Sequence, residues 1–188
     1  MTDAPSRCPW PADDELMLRY HDEEWGVPMH DDQRLFEFLS LEAAQAGLSW
    51  RTILHKRAAF NRAFDDFAPK RVAAFGAADV ERMMGDAGIV RNRLKLQAII
   101  HNARLFVEVQ AEHGSFDAYL WGFVRGTTLP RPAVLTADMV PATTPESDAI
   151  SKALKQRGFK FIGSTIVYAY MQSVGMVNDH VTGCFRAP

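Results

Sequence analysis

The amino-acid sequence predicts an all-α protein. Apolar side chains recur at helical spacing along most of the 188 residues, and most of these segments begin beside a residue type that caps helices. The alternation that marks a β-strand does not recur often enough to build a sheet. A chain of this length can bury most of its apolar surface, so we expect one domain over residues 1–188, or two helical lobes that share a cleft.

Six helices are predicted in residues 13–113. Aspartate and serine side chains accept hydrogen bonds from the free N–H groups of a first helical turn, and proline fits that turn because it has no N–H to satisfy. The segments are a helix capped by Asp13 and running through His21, a second capped by Asp31 or Asp32 and ending near Gly47, a third capped by Ser49, a short helix from Pro69 to Phe75, another over 79–84 and a long one over 92–113.

The rest of the chain combines three helices with an irregular connection. Residues 116–124 continue the helical pattern, and further helices are predicted over 147–157 and 164–175. Residues 126–145 contain four prolines, which exclude a regular helix there.

Composition sets limits on the class of protein. Hydrophobic residues make up 47% of the chain and charged residues 23%, which is typical of a soluble globular protein. No apolar run approaches the roughly 20 residues of a membrane helix, and residues 1–11 do not resemble a secretory signal. We therefore expect a cytoplasmic protein without a membrane partner.

Basic residues cluster in three places although the net charge is only −2. The clusters lie at 56–62, 91–95 and 152–160. Such groups are usually solvated helix faces, and the alternative is a surface that binds DNA phosphates. Both interpretations remain open on this evidence.

The two ends of the chain carry four candidate metal ligands, Cys8, His21, His180 and Cys184. On a helical turn, residues four positions apart lie on one face, so His180 and Cys184 could bind one ion together. With Cys8 and His21 they would give the four ligands of a tetrahedral structural zinc site, which would tie one terminus to the other. Spacing alone favours the simpler interpretation of unrelated histidines and buried thiols, because His-x-x-x-Cys occurs readily by chance.

A carboxylate, Glu42, lies on the apolar stripe of the second predicted helix, with Leu35, Phe38 and Leu39. A carboxylate there is costly unless it is paired or has a function, although a stripe-edge glutamate can also reach solvent or an arginine. An acid among flat aromatic rings suits a planar, electron-poor ligand. The candidate aromatic residues for such a site are Trp10, Tyr20, Trp25 and Trp50.

A glycine-containing turn at 84–91 precedes the long helix. A tight turn at a helix N-terminus directs backbone N–H groups outward, which suits a phosphate, and Arg91 and Arg93 follow directly. The alternative is a plain helical corner.

Several stretches resemble the 3-methyladenine DNA glycosylase I family, over roughly residues 8–184. Their order and number carry the resemblance more than any single stretch does. They are 20–28 (YHDEEWGVP), 41–50 (LEAAQAGLSW), 86–89 (DAGI), 157–161 (RGFKF) and 178–181 (NDHV).

The resemblance implies a helix-hairpin-helix DNA glycosylase-like bundle with a structural zinc site that joins the two termini. The implied zinc ligands are Cys8, His21, His180 and Cys184. The implied pocket for a flipped base is lined by Trp10, Tyr20, Trp25, Glu42 and Trp50, with Glu42 as the catalytic candidate. Gly47 and Leu48 are implied to approach the gap left in the DNA, and the hairpin near Gly88 to hold the backbone beside Arg91 and Arg93.

Two departures from the wider superfamily matter. Val90 stands where a second hairpin glycine is expected, which puts the phosphate contact in doubt. The superfamily's catalytic aspartate is not part of this family, so we assign no general base. Nothing marks a Schiff-base lysine, and we expect no strand-cutting lyase step.

The expected function is hydrolysis of the N-glycosidic bond of 3-methyladenine in double-stranded alkylated DNA, as a monofunctional base-excision repair enzyme that flips the base. We expect a monomer without an obligate protein partner. One alternative is a non-catalytic helix-hairpin-helix DNA-binding module with a structural zinc, which leaves the acid among tryptophans unexplained. Another is a zinc hydrolase, which needs a vacant coordination position.

Overall fold

The computed structural model describes residues 6–188, and every regular element in that range is a helix, as predicted. The nine α-helices are α1 (Glu15–Glu23), α2 (Asp32–Gln45), α3 (Trp50–Ala63), α4 (Pro69–Ala73), α5 (Ala77–Met84), α6 (Arg93–His113), α7 (Phe116–Gly122), α8 (Pro145–Gln156) and α9 (Ser164–Ser173). Short 3-10 turns lie at Asp65–Phe67 and Ala137–Met139. None of these helices is both long enough and apolar enough to cross a membrane.

The helix starts follow the capping side chains, with one correction. Asp14 caps α1 by accepting hydrogen bonds from the backbone N–H groups of Leu16 and Met17, both at 3.1 Å, so the prediction of Asp13 was wrong by one residue. Asp31 caps α2. Asp32 instead lies inside α2 and accepts hydrogen bonds from the first N–H groups of α7, a contact between distant segments that local spacing cannot reveal.

The C-terminal segment differs from the prediction in one respect that bears on the metal ligands. Helix α9 ends at Ser173, two residues before the predicted end, and the chain from 178 to 184 is irregular. His180 and Cys184 therefore do not share a helical turn. Residues 126–145 are irregular as predicted, apart from the 3-10 turn at Ala137–Met139.

Helix α2 is the central element of the bundle. It packs against α3, α6, α7 and α9, and ten of its 14 residues are buried. Because other helices cover it on several sides, even polar residues of α2 such as Glu42 are withdrawn from water.

A network of four charged side chains fixes α1 to α2 and α3. Arg57 of α3 donates to Glu37 at 2.7 Å and to both carboxylate oxygens of Glu24 at 2.9 Å. Arg34 donates to the same two acids, at 2.6 and 2.7 Å. Each acid thus contacts two guanidinium groups, which compensates for its partial burial and sets the position of α1.

Candidate functional site

A cavity of about 550 Å³ lies between α1, α2, α9 and the start of α3, and its volume is within the range of small-molecule pockets. All five residues predicted to surround a planar ligand line it: Trp10, Tyr20, Trp25, Glu42 and Trp50. They come from the segment before α1, from α1 and the residues after it, from α2 and from the first residue of α3. The fold therefore brings together side chains that are up to 40 residues apart in the sequence.

Glu42 is the buried acid of this cavity, with 3% of its surface exposed. Its Oε1 accepts a hydrogen bond of 2.7 Å from the Ser173 hydroxyl, which in turn accepts one of 2.9 Å from the Tyr20 hydroxyl. Burial raises the pKa of Glu42 to about 7, and the bond from Ser173 opposes that rise. Glu42 neither reaches solvent nor pairs with an arginine within residues 6–188, so the alternative interpretations of its position are wrong.

Aromatic rings form the walls around the acid. Trp10 packs edge-on against Trp25, with ring centroids 5.1 Å apart, and the Tyr20 and Trp50 ring centroids are 5.3 Å apart. The indole nitrogens of Trp10 and Trp50 are buried and have no hydrogen-bond partner in the described part of the chain. The cavity thus combines apolar aromatic faces with the carboxyl group of Glu42.

Five polar residues of the cavity were missed by the sequence reasoning: Gln45, Thr165, Gln172, Ser173 and Asp179. Asp179 accepts hydrogen bonds from Tyr168 at 2.7 Å and from Gln172 at 2.8 Å. Gln172 and Ser173 interrupt an otherwise apolar stretch near the end of α9, which is the same signal that identified Glu42. Asp179 lies within the stretch 178–181 that carried the family resemblance.

A cluster of Cys8, His21 and Cys184 lies beside the cavity. Their ligand atoms are all within 4.8 Å of one another, and all three residues are buried. The Nδ1 of His21 is 2.7 Å from Asp22 Oδ1, which orients the ring so that its Nε2 faces the Cys184 sulfur at 3.5 Å. Two thiols and an oriented imidazole are a donor set that could hold a metal ion, and the fold brings these three residues together.

His180, the fourth predicted ligand, lies next to this cluster but outside it. Its ring centroid is 4.7 Å from that of His21, and its Nε2 is 3.4 Å from the His21 carbonyl oxygen. Its Nδ1 is 2.8 Å from Asn178 Oδ1, which leaves Nε2 as the nitrogen on the side of His21.

The loop of Gly47 and Leu48 joins α2 to α3 at the edge of the cavity, between the lining residues Gln45 and Trp50. Gly47 adopts a φ of +77°, which favours glycine, and Leu48 is 38% exposed. Leu48 itself is not among the residues that line the cavity.

The turn before α6 is more tightly packed than expected. A Cβ on Gly88 would lie 2.9 Å from the Ala59 Cβ, so glycine is required for close contact with α3. The Gly88 N–H does not point outward, because it donates to Asp86 Oδ1 at 2.7 Å. Arg93 is ion-paired with Glu81, whereas Arg91 is exposed and has no partner in residues 6–188.

The comparisons with known proteins agree with this geometry. A family model described as methyladenine glycosylase matches residues 10–187. The chain belongs to the methyladenine glycosylase family. It is 49% identical over 182 residues to DNA-3-methyladenine glycosylase 1 of Escherichia coli (strain K12), with 97% of each chain covered.

Solved structures of 3-methyladenine DNA glycosylase I are similar along nearly the whole chain. One crystal structure matches with a TM-score of 0.94 at 49% identity, over 97% of this chain and 100% of that one. Another, of a variant in complex with 3-methyladenine, matches with a TM-score of 0.93 at 36% identity over 97% of both chains. The family resemblance and the all-α class are thereby confirmed.

The buried acid of this family member should make stability fall as pH rises. The folded-state pKa of Glu42 is about 7, above its ordinary 4.5, so its folded form holds a proton that the unfolded chain releases between those values. Glu42→Gln should therefore leave stability little changed at pH 5 and raise it at pH 8, by up to roughly 3 kcal/mol.

Urea unfolding at pH 5 and pH 8 measures this difference. Glu108→Gln, which neutralises an exposed acid on α6, is the matched control and should show no comparable pH-dependent gain. Equal pH dependence in wild type and Glu42→Gln would show that the Glu42 carboxyl group titrates normally.

Proposed function

We propose that this protein is a monofunctional DNA-3-methyladenine glycosylase I that removes 3-methyladenine from double-stranded alkylated DNA in base-excision repair. The observation that carries this proposal is the buried Glu42 carboxyl group in an aromatic cavity. Membership of the methyladenine glycosylase family supports the reaction class.

The chemistry of the lesion suits the cavity. Methylation at N3 gives the adenine a positive charge, so its glycosidic bond is already weak and the base leaves as a neutral molecule. The enzyme must flip the nucleotide, at a cost of a few kcal/mol, and bind the cationic base. Ionised Glu42 supplies the opposite charge and can accept hydrogen bonds from the exocyclic amine side, while the rings stack on the base.

Ser173 and Tyr20 orient this acid. The Ser173 hydroxyl is 2.7 Å from Oε1 of Glu42 and 3.0 Å from the Ala169 carbonyl oxygen, so its hydrogen bond to Glu42 is the shorter of the two, and Tyr20 donates to Ser173. No residue among 6–188 donates to Oε2, so that oxygen is left for the base.

Hydrolysis without a lyase step is consistent with where the nearby lysines lie. Lys95 donates to the carbonyl oxygens of Ala44 and Ala46, and Lys56 donates to carbonyl oxygens of the turn before α6. Neither lines the cavity, so we assign no amine nucleophile and infer that water captures the sugar cation. A non-catalytic DNA-binding module remains the alternative, but it does not require a buried acid in the cavity.

We infer a structural zinc ion held by Cys8, His21, His180 and Cys184. The three-residue cluster supports this, and His180 Nε2 lies on the side of that ring nearest His21, where it would be the fourth ligand. Four protein ligands leave no position for a reactive water, so the ion would stabilise the fold. It would close a loop of nearly the whole chain, which restricts the unfolded state.

We interpret α5, the turn at 85–92 and α6 as a helix-hairpin-helix element. It would contact the DNA backbone through Gly88, Arg91 and Arg93. Gly47 and Leu48 would approach the gap left by the flipped base. Gly88 packs closely against α3 and its N–H already donates to Asp86, so other groups of the turn would have to contact the DNA backbone. We also expect a single-domain, cytoplasmic monomer with no obligate protein partner.

Base recognition can be tested by changing Glu42 and Trp50. Glu42→Gln keeps the side-chain shape and removes the charge, and a hydrogen bond to a charged group contributes about 1.5–3 kcal/mol, so excision should slow roughly ten- to a few-hundredfold. Trp50→Ala should slow it through lost stacking, by roughly 1–3 kcal/mol. Single-turnover release of 3-methyladenine from methylated DNA measures both, with Glu108→Gln as the control.

A folded Glu42→Gln protein that excises at the wild-type rate would show that Glu42 has only a structural role. Wild-type protein that binds methylated DNA without releasing free base would instead favour the non-catalytic module.

The metal prediction uses the C-terminal ligand. Cys184→Ala should lose the zinc and lower the melting temperature, because the two ends of the chain are no longer joined. Elemental analysis of protein purified without chelator should find one zinc per chain in wild type and none in the variant. Wild-type protein without zinc would disprove the site.

The DNA surface prediction separates two neighbouring arginines. Arg91→Ala should weaken DNA binding for all sequences and reduce the slope of log K against log salt by about 1, as expected for one lost phosphate contact. Arg93→Ala should have a smaller effect, because Arg93 must first leave Glu81. Fluorescence titrations at several salt concentrations test this, and unchanged slopes in both variants would exclude this surface.

A further inference from the structure

Lys95 is a buried cation that the reaction does not use. It lies in the first turn of α6, with 8% of its surface exposed. Its ammonium group donates to the carbonyl oxygens of Ala44 at 2.7 Å and Ala46 at 2.6 Å. These oxygens lie at the C-terminal end of α2, where carbonyl groups lack helical partners and the helix dipole favours a cation.

The segment that Lys95 holds leads directly into the exposed loop. Ala46 precedes Gly47 and Leu48, and no atom lies within 4 Å of a Cβ on Gly47, so the loop has little other packing there. The Gln45 side chain donates to the Leu48 carbonyl oxygen at 2.5 Å and also lines the cavity. The position of the Leu48 backbone therefore depends on how the end of α2 is held.

The other end of the Lys95 contact is the turn before α6. Asn92 caps α6 by accepting a hydrogen bond from the Lys95 N–H at 3.2 Å, and Arg91 is the next residue toward the turn. One side chain thus links the start of α6 to the loop at the edge of the cavity. No other polar side chain among residues 6–188 donates to the Ala44 or Ala46 carbonyl oxygens.

We propose that Lys95 is a positioning residue that fixes the Gly47–Leu48 loop relative to the turn before α6. Contact between that turn and the DNA backbone then determines where Leu48 enters the duplex. This proposal rests on the function proposed above. Lys95 does not contact the base, and it should matter only where a paired base must be opened. Excision from single strands should depend on it much less.

The test compares methylated duplex DNA with methylated single strands of the same sequence, by single-turnover release of 3-methyladenine. Lys95→Met keeps the apolar stem and removes the donors. Excision from duplex should slow roughly ten- to a hundredfold, the scale on which a misplacement of about 1 Å reduces rate. Excision from single strands and fluorescence-detected binding of free 3-methyladenine should change less than about twofold. Lys70→Met, on the exposed face of α4, is the control.

A double-mutant cycle with Leu48→Ala tests whether Lys95 acts through the loop. If it does, Lys95→Met should slow duplex excision by less than about threefold in the Leu48→Ala background, because the two losses overlap. Additive losses, or equal losses on duplex and single strands, would overturn the proposal. If thermal melts show that Lys95→Met does not fold, Lys95→Gln, which keeps an amide donor, enters the same cycle.

The wild-type protein distinguishes the two levels of inference. Release from neither substrate by wild type would refute the proposed function, and the role of Lys95 with it. Normal wild-type release, with uniform losses in the Lys95 variants, would refute the role of Lys95 alone.

Discussion

Removing the Glu42 carboxylate from water costs several kcal/mol, and within residues 6–188 the hydrogen bond from Ser173 is the direct compensation. The cost follows from the position of α2, which neighbouring helices cover on several sides. The same burial raises the pKa of Glu42 to about 7, so the site is close to changing charge at neutral pH. A cationic ligand stabilises the ionised form of Glu42. Part of the free energy of ligand binding then offsets the cost of burying the carboxylate.

The candidate metal ligands and the lining residues of the cavity are close neighbours in the sequence. Trp10 follows Cys8 by two residues, Tyr20 directly precedes His21, and Asp179 directly precedes His180. An ion bound by these ligands would therefore also fix the neighbouring residues that line the cavity. These residues lie near the two ends of the chain, which are otherwise poorly ordered in most domains. A structural metal at this position would contribute to catalysis through geometry, without contacting the base.

Local signals in the sequence were sufficient for most of the fold, because Asp31, Ser49 and Asn92 satisfy helix N–H groups within three residues of themselves. The aromatic residues and Glu42 could also be predicted, from one polar residue on an apolar stripe and the family resemblance. The role of Ser173 could not, because its partner lies 131 residues away. The bond from Gly88 to Asp86 was likewise hidden, since a glycine-containing turn does not reveal where its N–H groups point.

The charge distribution indicates where recognition energy must come from. The net charge is −2, Arg93 is engaged by Glu81, and the Gly88 N–H is engaged by Asp86, so the phosphate-binding groups near the turn are few. Nonspecific attraction to DNA scales with the number of such groups, so this turn contributes little to it. On the function proposed above, selectivity for the damaged base resides in the cavity, where a positively charged base would meet an acid that no cation among residues 6–188 neutralises.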